Sequence, residues 1–421
     1  MGSKFPRPTD INFPNVENKL EYEFKEISKI DGTKGKITKA GLSLCGLKSG
    51  NILISYLYKD FKKLELKSCL TIYTIPDLKL VEKYIFDSEI EDIIYILDGA
   101  LQLKNENIFA ICDKLYLFNG ESIAVGPKTT SEEINDGDCK IANIEFLDPD
   151  DIFQRRVIKK SSRTFLCNFL FEPKEGIILF TKNWNDYEIY RLDVSNLETK
   201  GTSIYQYSNK YFSLDIICQS KYYPENLYII GNHEYDMENK KNQAILLVFN
   251  LEDFCDKEKK PKNPLYTINV SNSQNVYGMC EYNEKYILLD TMNNGVYIID
   301  IESKQKVAVS SLKTYYKNLS KTENFVVNMD NKEKIDLTVG DRFAPIYRNM
   351  IKLKDGQVLL VKSHRNNGLF MRIESSFFIA DIKQQIKTYI TGSSGKFIVS
   401  GNYIISFFPD SKLYVHQLYN D

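Results

Sequence analysis

Residues 295–307 read "GVYIIDIESKQKV". A short β-branched and aromatic run ends on an acidic residue, a polar turn follows, and a second strand-like run begins, as in a pleated hairpin. The phrase returns as "LTIYTIPDLKLVEK" from Leu70, "YEIYRLDVSNLETK" from Tyr187, "ILLVFNLEDF" from Ile245, "FFIADIKQQIKT" from Phe377 and "LYVHQLYND" from Leu413. A tight aliphatic run forms a second recurrent phrase: "GNILISYL" at 50, "NIFAIC" at 107, "GIILFT" at 176, "NLYIIG" at 226, "KYILLD" at 285, "GQVLLV" at 356 and "NYIISF" at 402. The seven copies make an internal repeat with a spacing of roughly 58 residues, longer than the ~40–50 of compact propeller repeats.

No stretch keeps apolar residues at the helical i, i+3, i+4 spacing for a dozen positions, so the chain is read as all-β. Each copy parses as a four-stranded meander. In the fifth copy the strands are "VYGMCEY", "YILLD", "VYIIDI" and "KVAVSS"; in the third they are "TFLCNFLF", "GIILFT", "YEIYRL" and "TSIYQY". A lone four-stranded sheet with two apolar faces is unstable, and radial packing of several such sheets buries both faces. The last copy lacks a fourth strand before the chain stops at Asp421, while a spare alternating segment, "NKLEYEFKEIS", stands near the start with Leu20, Tyr22 and Phe24 on one side. The expectation is one domain over 1–421, a seven-bladed β-propeller closed by the N-terminal strand, with 15–28 completing the last blade. Two long insertions interrupt it, at 126–163, taking "SIAVG" as the fourth strand before it, and at 311–345.

The third strands that stop on an acid (Asp77, Asp193, Asp300 and Asp381, with Asn119, Asn250 and Gln417 in the other copies) resemble the WD-repeat class of β-propellers. The Trp-Asp signature is absent, and the single tryptophan is Trp184, so the resemblance is to a divergent member. It implies a non-catalytic platform for proteins or peptides, a subunit or adaptor of a larger assembly, and no enzyme.

Bulk properties exclude several other classes. A formal net charge of −1 offers no global attraction to nucleic acid or an anionic membrane. No apolar run approaches the ~20 residues of a membrane span, and the N-terminus lacks an apolar core of the signal-peptide kind. The eight cysteines form no Cys-x-x-Cys pair and fit a reducing, cytoplasmic setting. No cofactor, metal site or small-molecule substrate is expected. "TGSSGKF" at 391–397 lacks the Ser or Thr and the helix of a phosphate cradle, and His233, His364 and His416 lack ligand-spaced partners.

Long segments gather at one end of the expected blades. The stretches 232–243 and 363–375 join a second strand to a third, and 126–163 and 311–345 join one blade to the next. Loops on a rigid scaffold are where function concentrates. The expected partner-binding residues are His233, Tyr315, Tyr316, Phe325, Arg342, Phe343, Arg365, Phe370 and Arg372, whose aromatic and Arg side chains make good anchors. The alternative is a phosphoinositide- or phosphopeptide-binding propeller. There Arg155, Arg156, Lys159, Lys160 and Arg163 would hold the anion, and contact with a membrane would be weak or indirect.

Overall fold

The structure, a computed structural model, describes residues 25–31, 43–60, 65–86, 99–111, 115–118, 144–147, 169–181, 188–194, 202–206, 212–233, 243–259, 261, 263–271, 275–291, 295–316, 349–353, 356–366, 372–394, 396–400, 403–408 and 412–417. Strand β1 (Lys25–Asp31) comes first. Then β2 (Ser43–Gly46), β3 (Ile52–Asp60), β4 (Glu65–Tyr73) and β5 (Leu80–Phe86) form the first antiparallel meander. The second is β6 (Gly99–Gln102), β7 (Ile108–Ile111), β8 (Leu115–Phe118) and β9 (Ile144–Leu147). The third is β10 (Phe169–Lys174), β11 (Ile177–Thr181), β12 (Glu188–Asp193) and β13 (Thr202–Gln206). The fourth is β14 (Phe212–Gln219), β15 (Asn226–His233), β16 (Gln243–Asn250) and β17 (Tyr266–Ser271), with a one-turn helix α1 (Glu252–Cys255) before β17. The fifth is β18 (Val276–Glu281), β19 (Tyr286–Thr291), β20 (Gly295–Asp300) and β21 (Gln305–Ser311).

The remaining strands make two sheets of a different construction. In one, β22 (Lys313–Tyr316) lies outside β26 (Ile386–Ser394), which is followed inward by β25 (Arg372–Asp381), β24 (Val358–Asn366) and β23 (Asn349–Lys352). In the other, β27 (Lys396–Ser400), β28 (Tyr403–Phe408) and β29 (Lys412–Gln417) are completed by β1. The chain is therefore all-β and built of four-stranded meanders of the propeller-blade kind. The expected seven blades of one form are corrected: five sheets are simple blades of four consecutive strands. The reason is local. One sheet acquires a fifth strand from the insertion that follows β21, and the last draws its outer strand from the far end of the chain.

That outer strand also sits later in the sequence than expected. It pairs antiparallel with β29 from Lys25↔Gln417 to Asp31↔Lys412, whereas Leu20, Tyr22 and Phe24 lie outside the described residues. A second correction concerns the 126–163 insertion. The outer strand of the second blade is Ile144–Leu147, paired with β8 from Leu115↔Leu147 to Phe118↔Ile144, and not "SIAVG". The insertion is thus split: 119–143 joins a third strand to a fourth, and 148–168 joins that blade to the next.

Residue contacts divide the chain into two compact units. One contains Lys25–Trp184, Glu188–Gln206 and Gly395–Asp421, and the other contains Tyr207–Ser394. In the first, the innermost strands β27, β2, β6 and β10 are neighbours in that order; in the second, β14, β18 and β23 are. The fifth blade shows why the aliphatic runs are apolar at every position. Tyr286 and Leu288 of β19 and Val296 and Ile298 of β20 pack on Val358, Leu360 and Phe378 of the following sheet. The alternate residues Ile287, Leu289, Tyr297 and Ile299 pack on Tyr228, Ile230 and Leu246 of the preceding blade. A strand buried on both faces cannot alternate polar and apolar residues, and each such side chain contributes ~1.5–3 kcal/mol of burial.

The acid that ends the third strand is a turn former. Asp300 Oδ1 accepts the Ser303 amide at 2.9 Å and Asp381 Oδ1 accepts the Gln384 amide at 3.0 Å. Both turns leave through a left-handed residue, Lys304 at φ 56° and Gln385 at φ 60°. A carboxylate that satisfies the turn's amide fixes the hairpin into the fourth strand. In the first blade Thr74 takes this place, its Oγ1 accepting the Lys79 amide at 3.0 Å, while Asp77 is an exposed residue within the turn.

Candidate partner-binding site

The two ends of the blades differ. At the end where a first strand turns into a second, the connections are tight and tied to one another. Leu47, Leu103 and Leu353 are buried, and each donates its amide to the carbonyl four residues on, at 2.8, 2.7 and 2.8 Å. The left-handed residue inside each turn is Gly50, Glu106 or Gly356, at φ 84°, 72° and 85°. The next residues, Lys48 and Lys104, reach forward: Lys48 Nζ donates to the Lys104 carbonyl at 2.8 Å, and Lys104 Nζ to the Pro173 carbonyl at 2.6 Å.

Backbone latches repeat the connection. The Lys48 amide donates to Gln102 Oε1 at 2.7 Å, the Lys104 amide to Glu172, and the Lys221 amide to Glu281 Oε2 at 2.5 Å. Each acceptor stands on the first strand of the next blade. Glu281 also accepts the Ser220 hydroxyl at 2.5 Å, and Glu172 the Gly176 amide at 2.8 Å. Tyr282 continues the series to the following sheet by donating to the Gly356 carbonyl at 2.9 Å, with Lys352 Nζ 4.6 Å from its ring centroid. The polar groups of these turns thus divide between closing the turn itself and holding the neighbouring blade.

The opposite end, where a second strand turns into a third, is where the blades grow. Hairpin β19–β20 has strands of six residues each and β7–β8 of four. Hairpin β24–β25 has strands of nine and ten residues, continuously paired from Val358↔Ala380 to Asn366↔Arg372. Three extra residues on β24 carry it about 10 Å beyond β19's length at ~3.3 Å per residue. Hairpin β15–β16 has eight residues in each strand, paired out to His233↔Gln243. Of the stretches read from sequence as loops, 363–375 is therefore largely prolonged hairpin arm, and 232–243 begins and ends in one at Asn232, His233 and Gln243.

The structure places five of the nine expected residues. Arg365 is opposite Ile373 and Arg372 opposite Asn366 in the outer part of β24–β25, and His233 closes β15. Tyr315 and Tyr316 fall on β22, opposite Thr388 and Tyr389, so they belong to an added strand and not to a loop. Phe325, Arg342, Phe343 and Phe370 lie outside the described residues, as do Arg155, Arg156, Lys159, Lys160 and Arg163, in the connection from β9 to β10. Hairpin β3–β4, with nine residues in each strand paired from Ile52↔Tyr73 to Asp60↔Glu65, escaped the sequence reading. Its signal was the alternating stretch "SYLYKD" continuing past the aliphatic run.

The chemistry available on the blades is limited. Burial pushes the Cys218 thiol up to about 12 and the Cys280 thiol up to about 11, with Glu281 adding repulsion to both. Burial also raises Cys45. Such thiols stay protonated near neutral pH and serve as small apolar fillers, as Cys218 and Cys280 do against the two core clusters. Burial lowers the Lys306 ammonium, which donates to the Val270 carbonyl at 2.7 Å and lies 4.3 Å from the Tyr297 ring centroid. Among the described residues no group of three or more His, Cys, Asp or Glu side chains converges as a metal site requires. Among them, too, no helix is long and apolar enough to cross a membrane.

Comparison with known proteins adds fold likeness without function. No family model matches the chain, and no curated protein does. Among solved structures, a chain of the "Crystal Structure of Mitotic Checkpoint Complex" is similar over 97% of this chain and 97% of that one, at 8% identity and a TM-score of 0.48. That is too distant a likeness to carry a role across.

Proposed function

We propose that this chain is a non-catalytic interaction scaffold, a subunit or adaptor of a larger assembly, working in the cytoplasm. Its partner site is built at the prolonged-hairpin end, from β15–β16 and β24–β25 with His233, Arg365 and Arg372. Phe325, Arg342, Phe343 and Phe370 of the adjoining segments add aromatic and Arg anchors. The observation that supports this is the asymmetry of the blades. One end is tied down by latched turns, while β24 and β25 run in unbroken register to Asn366↔Arg372. Prolonged paired strands hold side chains on a rigid support at little entropic cost, which is what a binding surface needs.

The test is co-purification with the intact chain, then with 363–375 replaced by a two-residue Asn-Gly turn, and then with Arg365→Glu and Arg372→Glu together. The reading expects the principal partner protein to be lost with both altered chains and kept when the short hairpin β19–β20 is changed. Retention of every partner by the shortened chain refutes it.

A further inference from the structure

The β14–β15 turn is the longest of the latched turns. Its closing bond runs from the Ser220 amide to the Asn226 carbonyl, six residues on, at 2.9 Å, whereas Leu47, Leu103, Tyr282 and Leu353 close over four. Tyr222 and Pro224 within it are exposed. One carboxylate is its main hold on the next blade: Glu281 accepts the Ser220 hydroxyl on one oxygen and the Lys221 amide on the other, each at 2.5 Å. Ser220 Oγ in turn accepts the Tyr223 amide at 2.9 Å, and the Tyr223 hydroxyl donates to the Glu284 carbonyl at 3.0 Å. On its own blade the turn is tied by the Leu251 amide to the Glu225 carbonyl at 2.7 Å.

Tyr228 of β15 belongs to the same cluster, standing opposite Cys218, two residues before Ser220. Its side chain is fully buried and packs with Ile230, Leu246 and Val248. Among the described residues its hydroxyl has no hydrogen-bond partner. Burial raises its pKa, the Ser220 hydroxyl beside it lowers it, and the nearby Glu281 carboxylate raises it. Buried donors are almost always paired, because an idle one keeps the full cost of leaving water. A donor left idle beside a carboxylate that other groups occupy is a donor in reserve.

We propose that the β14–β15 turn is a releasable latch with two hydrogen-bonding states. In the closed state Glu281 holds Ser220 and Lys221. In the released state both leave, and the Tyr228 hydroxyl donates to the Glu281 carboxylate in their place, so β18 keeps a bond to the preceding blade. The idle hydroxyl makes the closed state less favourable, and the replacement bond makes the released state more favourable. Both effects lower the cost of opening this one turn. Among the described residues the latches of Lys48 and Lys104 have no idle buried hydroxyl, so they lack the second state. The device lies at the end opposite the proposed partner site, and neither proposal needs the other.

The experiment is hydrogen exchange on the full chain and on Y228F, following the Lys221 and Tyr223 amides that the closed latch holds. Removing the hydroxyl takes the reserve donor from the released state, so both amides should exchange at least about 10-fold more slowly in Y228F, the worth of a hydrogen bond to a charged group. A hydroxyl that braced the closed turn would make exchange faster, and one with no role would leave it unchanged. Either result overturns the proposal. The Lys104 amide, latched to Glu172, should not respond. In an E281A background the acceptor is gone, so adding Y228F should make no difference at the turn. Slowing there too would show that the effect does not pass through Glu281, and would overturn the proposal. The Ile287–Leu289 amides report whether the fifth blade is intact. Their loss of protection in Y228F would also count against it, since the hydroxyl would then belong to the closed structure.

Discussion

Asn232 offers the sharpest test of how adjacent blades are joined at the hairpin end. Its side chain is fully buried, its Nδ2 donates to the Val276 carbonyl at 2.6 Å, and its Oδ1 accepts the Val276 amide at 2.8 Å. The carboxamide thus acts as a piece of backbone, pairing the start of β18 with the blade before it. Asn232→Ala leaves a buried amide and a buried carbonyl without these partners. At ~1–3 kcal/mol for each orphaned group, the loss is about 2–6 kcal/mol. Asn232→Asp separates chemistry from volume: it keeps the shape but sets a carboxylate against the Val276 carbonyl. Burial and that carbonyl raise the folded-state pKa of the new carboxyl above its unfolded value of ~3.9. The linked stability is therefore present below ~3.9, where the protonated group can donate, and is lost as pH rises through the folded pKa. The deficit relative to the parent should widen between acidic and neutral pH. Urea denaturation across that range, with hydrogen exchange at Val276–Glu281, measures both effects. An Asn232→Ala variant within about 0.5 kcal/mol of the parent, or an Asp variant whose deficit ignores pH, would refute the reasoning.

Four further outcomes are expected. Glu281→Ala removes the acceptor for the Ser220 hydroxyl and the Lys221 amide, and should cost about 1–3 kcal/mol with faster exchange at Lys221, whereas Glu281→Gln, which keeps one acceptor oxygen, should cost less. Gln385→Gly relieves a left-handed residue at φ 60° and should stabilise by about 0.5–1 kcal/mol in thermal melts, while Gln385→Val should do the opposite. Leu353→Ala should cost about 2–5 kcal/mol in urea, because the side chain is only 4% exposed beneath its turn. Cys218 and Cys280, raised to about 12 and about 11, should react with iodoacetamide at pH 8 about 100-fold or more slowly in the native chain than in urea, as peptide mapping would show. The same shifts make native stability fall as pH rises from the ordinary thiol value toward those values, since the raised pKa belongs to the folded state.

The repeat was legible because its physics is local. A run such as "YILL" at 286–289 is buried on both faces and must be apolar throughout, and an acid at the end of a third strand, Asp300 or Asp381, is required by the turn it caps. The latched end was also written in the sequence, in the near-repeats "LKSGN", "LKNEN" and "LKDGQ" at 47, 103 and 353, but it is quiet. Its Lys residues look like solvated surface, and only the fold reveals that the Lys48 and Lys104 ammonium groups reach carbonyls on the next turn. The outer strands were less legible. "SIAVG" has as good a strand composition as "IEFL", and the choice between them depends on which can reach Leu115–Phe118, a long-range fact that composition does not carry. Asp77 misled for a similar reason, since the side chain serving its turn belongs to Thr74, three residues earlier.

Strand length is where this architecture separates stability from recognition. The apolar clusters that join successive blades draw on a few residues of each strand: Tyr286, Leu288, Val296 and Ile298 on one side of the fifth blade, Ile287, Leu289, Tyr297 and Ile299 on the other. The six-residue strands of β19 and β20 suffice for that packing, so the further residues of β24 and β25 are not needed to build the core. Latches such as Glu281 to Lys221 fix the opposite end and leave it little freedom to lengthen, since an added residue would move the acceptor away from the amide it holds. Insertions are then tolerated at the hairpin end and along outer edges, where Asn366↔Arg372 and Lys313–Tyr316 stand. If lengthening had served stability instead, shortening β24–β25 to the length of β19–β20 would unfold the sheet. The division of labour described here expects the shortened chain to keep its melting behaviour and lose only its partner.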